Sequence, residues 1–303
     1  MPEKKPFFYG GQAIIEGVMI RGSSAVSMAV RRPSGEVMVR CEPITGVYRS
    51  RWRSIPLVRG IIVLGETLTL GTRALMFSAR EATGEETEKG FQTLPSAAIW
   101  STLLVAFGFS IDLFLVLPLF VTNALDPHIS SSIASNLIDG SIRLAILLAY
   151  MTAMGRLKDV RRLFAYHGAE HMTIKAYEAR QELSVDNIRQ HSTDHPRCGT
   201  AFLFTVVLVS IILFAFLGRP ALYLRIVERI ALVPVIAALS YEVIRLNGAH
   251  AGNRFFKVLA TPSLWLQRLT TRVPDNSQIE VAVKAMESAL RADNVMPSGG
   301  SQQ

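Results

Sequence analysis

The sequence predicts a mainly α-helical protein: a polytopic membrane bundle with a small N-terminal β unit and a cytoplasmic C-terminal helix. Three observations lead there. Half of the 303 residues are apolar and only 18% are charged, with a mean hydropathy of +0.30, whereas an average soluble chain carries roughly 25% charged residues. Residues 90–111 and 198–218 contain no charged side chain, and a membrane span needs about 20 apolar residues. Short apolar runs punctuated by glycine and proline fill residues 12–42, as strands and turns do. This balance excludes a disordered chain, a coiled coil and a simple nucleic-acid-binding chain. The net charge of +8 is therefore read as attraction to an anionic membrane face, with membrane lipids as partners and no nucleic acid expected.

Within the first unit, residues 1–54, the expected strands are Ala13–Val18, Ala25–Val30 and Val37–Val39, with a hairpin turn at Pro33-Ser34-Gly35. The opening residues lack the apolar core and cleavage site of a signal peptide. A β unit of about 30 residues is too small to stand alone by core burial, so it is expected to lean on another part of the chain. Arg49, Arg51, Arg53 and Arg59 cluster beside Trp52, as a headgroup-contacting patch would. Residues 55–80 follow as an amphipathic or membrane-associated helix interrupted by Glu66 and Arg73, and residues 81–90 read as a polar loop.

The transmembrane bundle is placed at residues 91–246, with four spans near 96–121, 137–155, 199–218 and 228–246. The second and fourth are marginal, because their uncharged runs at 144–155 and 230–241 hold only 12 residues each. They span if Asp139 with Arg143, and Glu242 with Arg245, sit at boundaries or inside the bundle. Arg156, Lys158, Arg161 and Arg162 oppose a single Asp159, while the 122–142 loop has no Lys or Arg. The positive-inside rule then places both termini and the His-rich segment 156–197 in the cytoplasm, in the inner (plasma) membrane of a cell. Arg219, Arg225 and Arg229 are exceptions to that rule. Residues 247–293 form a cytoplasmic C-terminal segment, in which Ser277-Gln278-Ile279-Glu280 has a capping-box pattern. Ile279, Val283, Met286 and Leu290 make its apolar stripe. Residues 294–303 are expected to be disordered.

The chemistry is concentrated in the His-rich segment. Four of the six histidines, His167, His171, His191 and His195, fall within 29 residues, where even spreading would put about 0.6. His167-Gly168-Ala169-Glu170-His171 has the form H-x-x-E-H. Two histidines at i and i+4 share a helix face, so both imidazoles can ligate one divalent ion, with zinc the expected metal. Glu170 stands beside them as the candidate general base. Glu178 is a poor third ligand, because seven residues of helix carry it roughly 10 Å along the axis. His195 or Cys198, from the separate segment His195-Pro196-Arg197-Cys198 at the foot of an apolar helix, completes the shell. The competing view is that His167 and His171 bond a neighbouring loop or phospholipid headgroups while Glu170 pairs with Arg161 or Arg162. For Glu66 and Asp112 a buried hydrogen-bonded carboxylate or a boundary position is expected rather than a transport role.

Gly10-Gly11-Gln12-Ala13-Ile14-Ile15-Glu16-Gly17-Val18-Met19-Ile20-Arg21-Gly22 resembles the start of the YqhQ-like family, bacterial multi-pass membrane proteins of unknown function. Tyr166 to His171, His195 to Thr200, Ser240 to Leu246, Leu264 to Gln267 and Gln278 to Ala282 match it as well, so the resemblance runs along nearly the whole chain. Met172 departs from it, since a lysine is usual after the second histidine. The resemblance implies a metal-dependent enzyme with no established reaction, and its implied site falls on His167, Glu170, His171, His195 and Cys198. The expected function is thus a metal-dependent, hydrolase-like enzyme with its site at the cytoplasmic membrane boundary. The alternative is a non-enzymatic assembly factor, scaffold or transporter in which the His/Cys cluster is a closed structural clamp. A transporter would bring charges together in the bundle, for example Asp112 near Arg143. Substrate and oligomeric state are not encoded in any motif.

Overall fold

The computed structural model describes residues 7–45, 51–84, 96–195, 198–250 and 253–295. Arg49, Pro196, Arg197, most of the 81–90 loop and the tail beyond residue 295 lie outside the described residues.

Four strands form an antiparallel meander, β1 (Gly10–Ile14), β2 (Gly17–Arg21), β3 (Ala25–Arg31) and β4 (Val37–Pro43), in that spatial order. The single run expected over Ala13–Val18 is in fact a hairpin. Ile14 faces Gly17, and Ile15-Glu16 make the turn with Glu16 at φ +52°. The apolar run hides this because the turn is built from Glu16's conformation rather than from a glycine there. Glu16 is held by Arg162, by the Tyr166 hydroxyl at 3.2 Å, and through its carbonyl by the amide of Arg31 at 2.8 Å. The second turn contains Pro33-Ser34-Gly35 as expected, with Gly35 at φ +89°.

Helix α1 (Val58–Thr83) extends three residues into the stretch read as a loop, and its C-terminal half covers one face of the sheet. There Ala74 and Phe77 pack with Ile14, Met19, Val26, Met28 and Val30. The opposite face carries Val18, Ile20 and Ala29, which pack on α5 (Lys158–Glu178) and α10 (Asn276–Ala292) through Tyr166, Met172, Ile279, Met286 and Leu290. The sheet is therefore buried on both sides, which is why β2 and β3 read as continuous apolar runs instead of alternating. The small β unit leans on helices drawn from the middle and the end of the chain.

The cap of α10 lies two residues before the predicted one. Asp275 accepts from the amide of Gln278 at 2.9 Å, and the Gln278 side chain accepts from the amide of Asp275 at 3.0 Å, a reciprocal box. Ser277 instead donates to Asp275 at 2.7 Å, so the carboxylate wins the cap.

The apolar helices are α2 (Ser96–Ile111), α3 (Leu117–Leu125), α4 (Ser132–Met154), α7 (Gly199–Ala215) and α8 (Leu222–Ala249). A π-helical turn, Asp112–Val116, joins α2 to α3. A four-residue helix α6 (Val185–Ile188) and α9 (Arg254–Thr270) complete the set. Among the described residues three helices are long and apolar enough to cross a membrane: Val58–Thr83, Leu104–His128 and Ser132–Met154. That set differs from the four expected spans. It gains α1 and does not include the span expected near 228–246, while α7 is a shorter apolar helix of 17 residues.

The bundle is tied by buried charge. Asp139, fully buried, accepts from Arg143 at 2.9 Å and from Arg229; Arg229 also donates to Asn136 at 2.9 Å. Asp126 accepts from Arg225 at 2.7 Å and Arg219 at 3.3 Å. Arg143 is thus matched to Asp139, one turn away, and Asp112 is exposed. Glu66 is buried and accepts from Arg21 on β2 at 3.0 Å. Arg59 of the arginine cluster is committed to Glu242 on α8.

Candidate metal centre

Helix α5 lies with one face in the core of the sheet and the other toward the ends of α7 and α9. Gly168 makes that second approach possible. A Cβ at Gly168 would stand 2.1 Å from the carbonyl oxygen of Arg272, so only a residue without one lets the chain after α9 cross here. The crossing is fixed by the Arg272 amide, which donates to the Phe164 carbonyl at 2.9 Å. It also brings the Thr270 carbonyl, an otherwise orphaned acceptor at the C-terminal end of α9, to 2.8 Å from His167 Nδ1. His171 Nδ1 lies 2.6 Å from the Thr193 carbonyl.

A carbonyl can only accept, so both Nδ1 atoms carry the proton and both Nε2 lone pairs face the same space. His167 Nε2 accepts from the Cys198 thiol at 3.1 Å. Cys198 is the N-cap of α7, its sulfur receiving the Thr200 amide at 3.4 Å and lying 3.1 Å from the Thr200 hydroxyl. Among the described residues, His167, His171 and Cys198 offer one donor atom each, all within 4.8 Å of one another. A tetrahedral zinc with bonds of about 2.0–2.3 Å spaces its ligands by roughly 3.5 Å. Two imidazoles, each hydrogen-bonded through Nδ1 to a backbone carbonyl, and a cysteine sulfur form a donor set that fits such an ion.

Glu170 is buried on the same turn, with Oε2 3.9 Å from His167 Nε2 and 3.8 Å from His171 Nε2. Burial pushes its carboxyl up to about 7, opposed by His167 and by the hydrogen bond from the Gly11 amide. Gly11 is fitted to it: a Cβ there would meet Glu170 Cγ and Oε1 at 2.8 Å and the Met19 carbonyl at 2.7 Å. The pairing of Glu170 with Arg161 or Arg162 is not formed; Arg162 holds Glu16 instead.

His195 stands beside the cluster, its ring centroid 5.5 Å from that of His171, with Nε2 3.6 Å from Glu178 Oε2. Its backbone is clamped by the buried Gln267 side chain, which accepts from the His195 amide and donates to its carbonyl, both at 2.8 Å. The same loop is held by Lys175, which donates to Ser192 at 2.6 Å and Asp194 at 2.9 Å. Burial alone would raise the Asp194 carboxyl, but the hydrogen bonds from Ser192 and Lys175 outweigh it and hold it down at about 2. His191 is engaged with Gln181 at 2.7 Å. Met172 is buried in the core against the sheet.

The sequence gives no sign of the carbonyls of Thr193 and Thr270. Gln267 and Gly11 do leave a signal: a lone amide within the apolar Leu264-Trp265-Leu266-Gln267, and a glycine pair opening a strand.

Comparison with known proteins agrees with the sequence resemblance. A family described as "Protein of unknown function (DUF1385)" matches residues 55–292. The chain is similar to "Uncharacterized protein YqhQ" of Bacillus subtilis (strain 168), with 32% identity over 306 residues, covering 96% of this chain and 94% of that protein. No solved structure matches.

Proposed function

From the premise that this chain belongs to the DUF1385, YqhQ-like family, whose name assigns no activity, we propose that it is a multi-pass inner-membrane hydrolase dependent on a divalent metal, zinc by preference. The observation that carries this is the convergence of His167, His171 and Cys198 within 4.8 Å, with each imidazole oriented by a backbone carbonyl. These three would hold the ion, which supplies Lewis acidity to the bond being cleaved. Three protein ligands leave a coordination position open, as catalytic rather than structural zinc sites do. Glu170 Oε2 takes a proton from the attacking water and returns it to the leaving group. A carboxyl near neutrality suits both transfers, and the Gly11 amide fixes its orientation.

The chain sits with both termini and the His-rich segment in the cytoplasm. Arg219, Arg225 and Arg229 do not oppose this orientation, because each is bound to Asp126 or Asp139 and is not a free loop charge of the kind the positive-inside rule counts. The site then lies where the sheet meets the apolar helices.

The test is elemental analysis of detergent-purified protein, wild type beside a His167→Ala, His171→Ala double variant of matched thermal stability. Near-stoichiometric metal in the wild type and none in the variant is the expected result. Negligible metal in both overturns the proposal. A second reading rests on the 3.1 Å contact between Cys198 Sγ and His167 Nε2 at a helix N-terminus, which is also the arrangement of a thiol nucleophile and its base. It is favoured if metal-free protein keeps a turnover that iodoacetamide abolishes.

A further inference from the structure

A cavity of about 390 Å³ opens beside the cluster, within the roughly 300–1,000 Å³ range of small-molecule sites. Cys198 forms part of its wall, and so does Gly11, whose amide holds Glu170. The rest is mostly apolar: Val63, Leu64 and Leu70 of α1, Phe202 of α7, Ile244 of α8 and Met19 of β2. Two of these walls belong to helices whose other faces are apolar and exposed, at Ile61 and Leu68 on α1 and Leu246 on α8. The cavity therefore lies between the metal-binding residues and the surface that a bilayer would cover.

We propose that this cavity seats one acyl chain, so that the site hydrolyses an acyl ester or amide drawn laterally from the membrane. The inference rests on the metal-hydrolase reading of the site and names its substrate class. An extended peptide is the poorer occupant, because it brings an amide and a carbonyl at every residue, each needing a partner. Among the polar groups along these walls, Arg21, Glu66 and the Tyr9 hydroxyl are already committed. Arg21 is bonded to Glu66 and to the Gly22 carbonyl, and the Gly11 amide to Glu170. A hydrocarbon chain makes no such demand. With the chain seated, its carbonyl carbon reaches the Cys198 end of the cavity. Water adds there, its proton passes to Glu170, the bond to the leaving oxygen or nitrogen breaks, and that atom takes the proton. The products are a carboxylic acid, retained by the membrane, and an alcohol or amine.

The experiment uses the full chain in phosphatidylglycerol–phosphatidylethanolamine vesicles containing a trace of phospholipid with a mid-chain diazirine. After irradiation, adducts are mapped by mass spectrometry and bound zinc is counted in parallel. Adducts are expected on Val63, Leu64, Phe202 and Ile244, as well as on exposed Leu104 and Phe107. Val63→Trp, which fills the cavity, is expected to lower the cavity adducts about fivefold and to leave those on Leu104 and Phe107, and the zinc content, unchanged. Phe202→Ala, which widens the cavity, is expected to raise them. Cavity adducts insensitive to both variants, or displaced by an apolar peptide and not by free palmitate, overturn the proposal. Wild-type protein without zinc but with variant-sensitive cavity adducts overturns the hydrolase reading, and the substrate role with it, while leaving the acyl seat in place.

Discussion

Gly168→Ala isolates the part of the site that holds the imidazoles rather than the imidazoles themselves. The new Cβ would lie 2.1 Å from the Arg272 carbonyl oxygen, where ordinary contact begins at 3.4 Å. The opposing atom is backbone, so it cannot rotate away. The segment after α9 must retreat by about 1.3 Å, or α5 must tilt by as much. Either movement lengthens the 2.8 Å bond from His167 Nδ1 to the Thr270 carbonyl and the 2.9 Å bond from the Arg272 amide to Phe164. Overpacking of this kind costs about 1–3 kcal/mol of stability, and loss of a group that orients a metal-binding histidine costs roughly 10–100-fold in affinity.

The assay is a zinc titration against a chromophoric chelator, with thermal unfolding measured on the metal-free protein. Gly168→Ala is expected to bind zinc more weakly by that factor at unchanged stoichiometry, whereas His167→Ala loses the site. Wild-type affinity together with wild-type stability in Gly168→Ala would refute the view that the α5–α9 crossing sets the His167 geometry.

Three further expectations follow from other parts of the molecule. Glu170 has its folded-state carboxyl raised from 4.5 to about 7 by burial, so its ionisation opposes folding progressively above pH 4.5 and fully above 7. Glu170→Gln is therefore expected to stabilise the metal-free protein by about 3 kcal/mol at pH 8 and by nothing near pH 4, in parallel thermal melts, while lowering turnover on any substrate by roughly 10²–10⁴-fold. Asp293 would be raised by its partial burial, but hydrogen bonds from the Ser24 hydroxyl and the Ser23 and Ser24 amides lower it below 3.8. Its contribution is thus present above pH 3.8 and lost as pH falls through the lowered value, and Asp293→Asn should abolish that acid-side slope in denaturant titrations. Asp139→Asn leaves Arg143 and Arg229 buried without their carboxylate and is expected to cost about 3–5 kcal/mol. An unchanged melting temperature in detergent would show that the pair does not hold the bundle.

What was legible in the sequence was whatever depends on one segment at a time. The apolar stripe of α10, the charge-free α7 and the spacing of His167 and His171 are properties of consecutive residues, and periodicity reports them. What was not legible depends on partners far away in the chain. Glu66 reads as a flaw in an apolar helix until Arg21, 45 residues earlier, is placed beside it. The cap of α10 is a different case, a local competition: Ser277 and Asp275 are both good caps, and Gln278, three residues after Asp275, closes the reciprocal box with Asp275. Carbonyl groups exist at every residue, so no composition could single out Thr193 and Thr270 as the acceptors that fix the two imidazoles. The same holds for Cys198 over His195: both are sound ligands by type, and the fold turns the Cys198 sulfur toward His167 while Gln267 clamps the His195 backbone one loop away.

The cluster is assembled across the seam between the two halves of the molecule. His167, Glu170 and His171 ride on α5, which belongs to the sheet through Tyr166 and Met172. Cys198 caps α7, which belongs to the apolar bundle through Val207 and Leu266. Among the described residues the contacts that join them at the cluster include the Thr270 and Thr193 carbonyls, the Arg272 crossing and the Gln267 clamp, while α1 bridges the same two halves, packing on the sheet through Phe77 and holding α8 through Arg59 and Glu242. The distance from His167 Nε2 to Cys198 Sγ is therefore set by how the sheet unit seats on the bundle, and an ion bound to both would tie the two halves together. That coupling has a thermodynamic consequence: binding that requires the seated arrangement must in turn stabilise it. A zinc-dependent rise in the melting temperature should then be lost in Cys198→Ala even where His167 and His171 still retain the ion weakly, because a metal held by α5 alone no longer spans the seam.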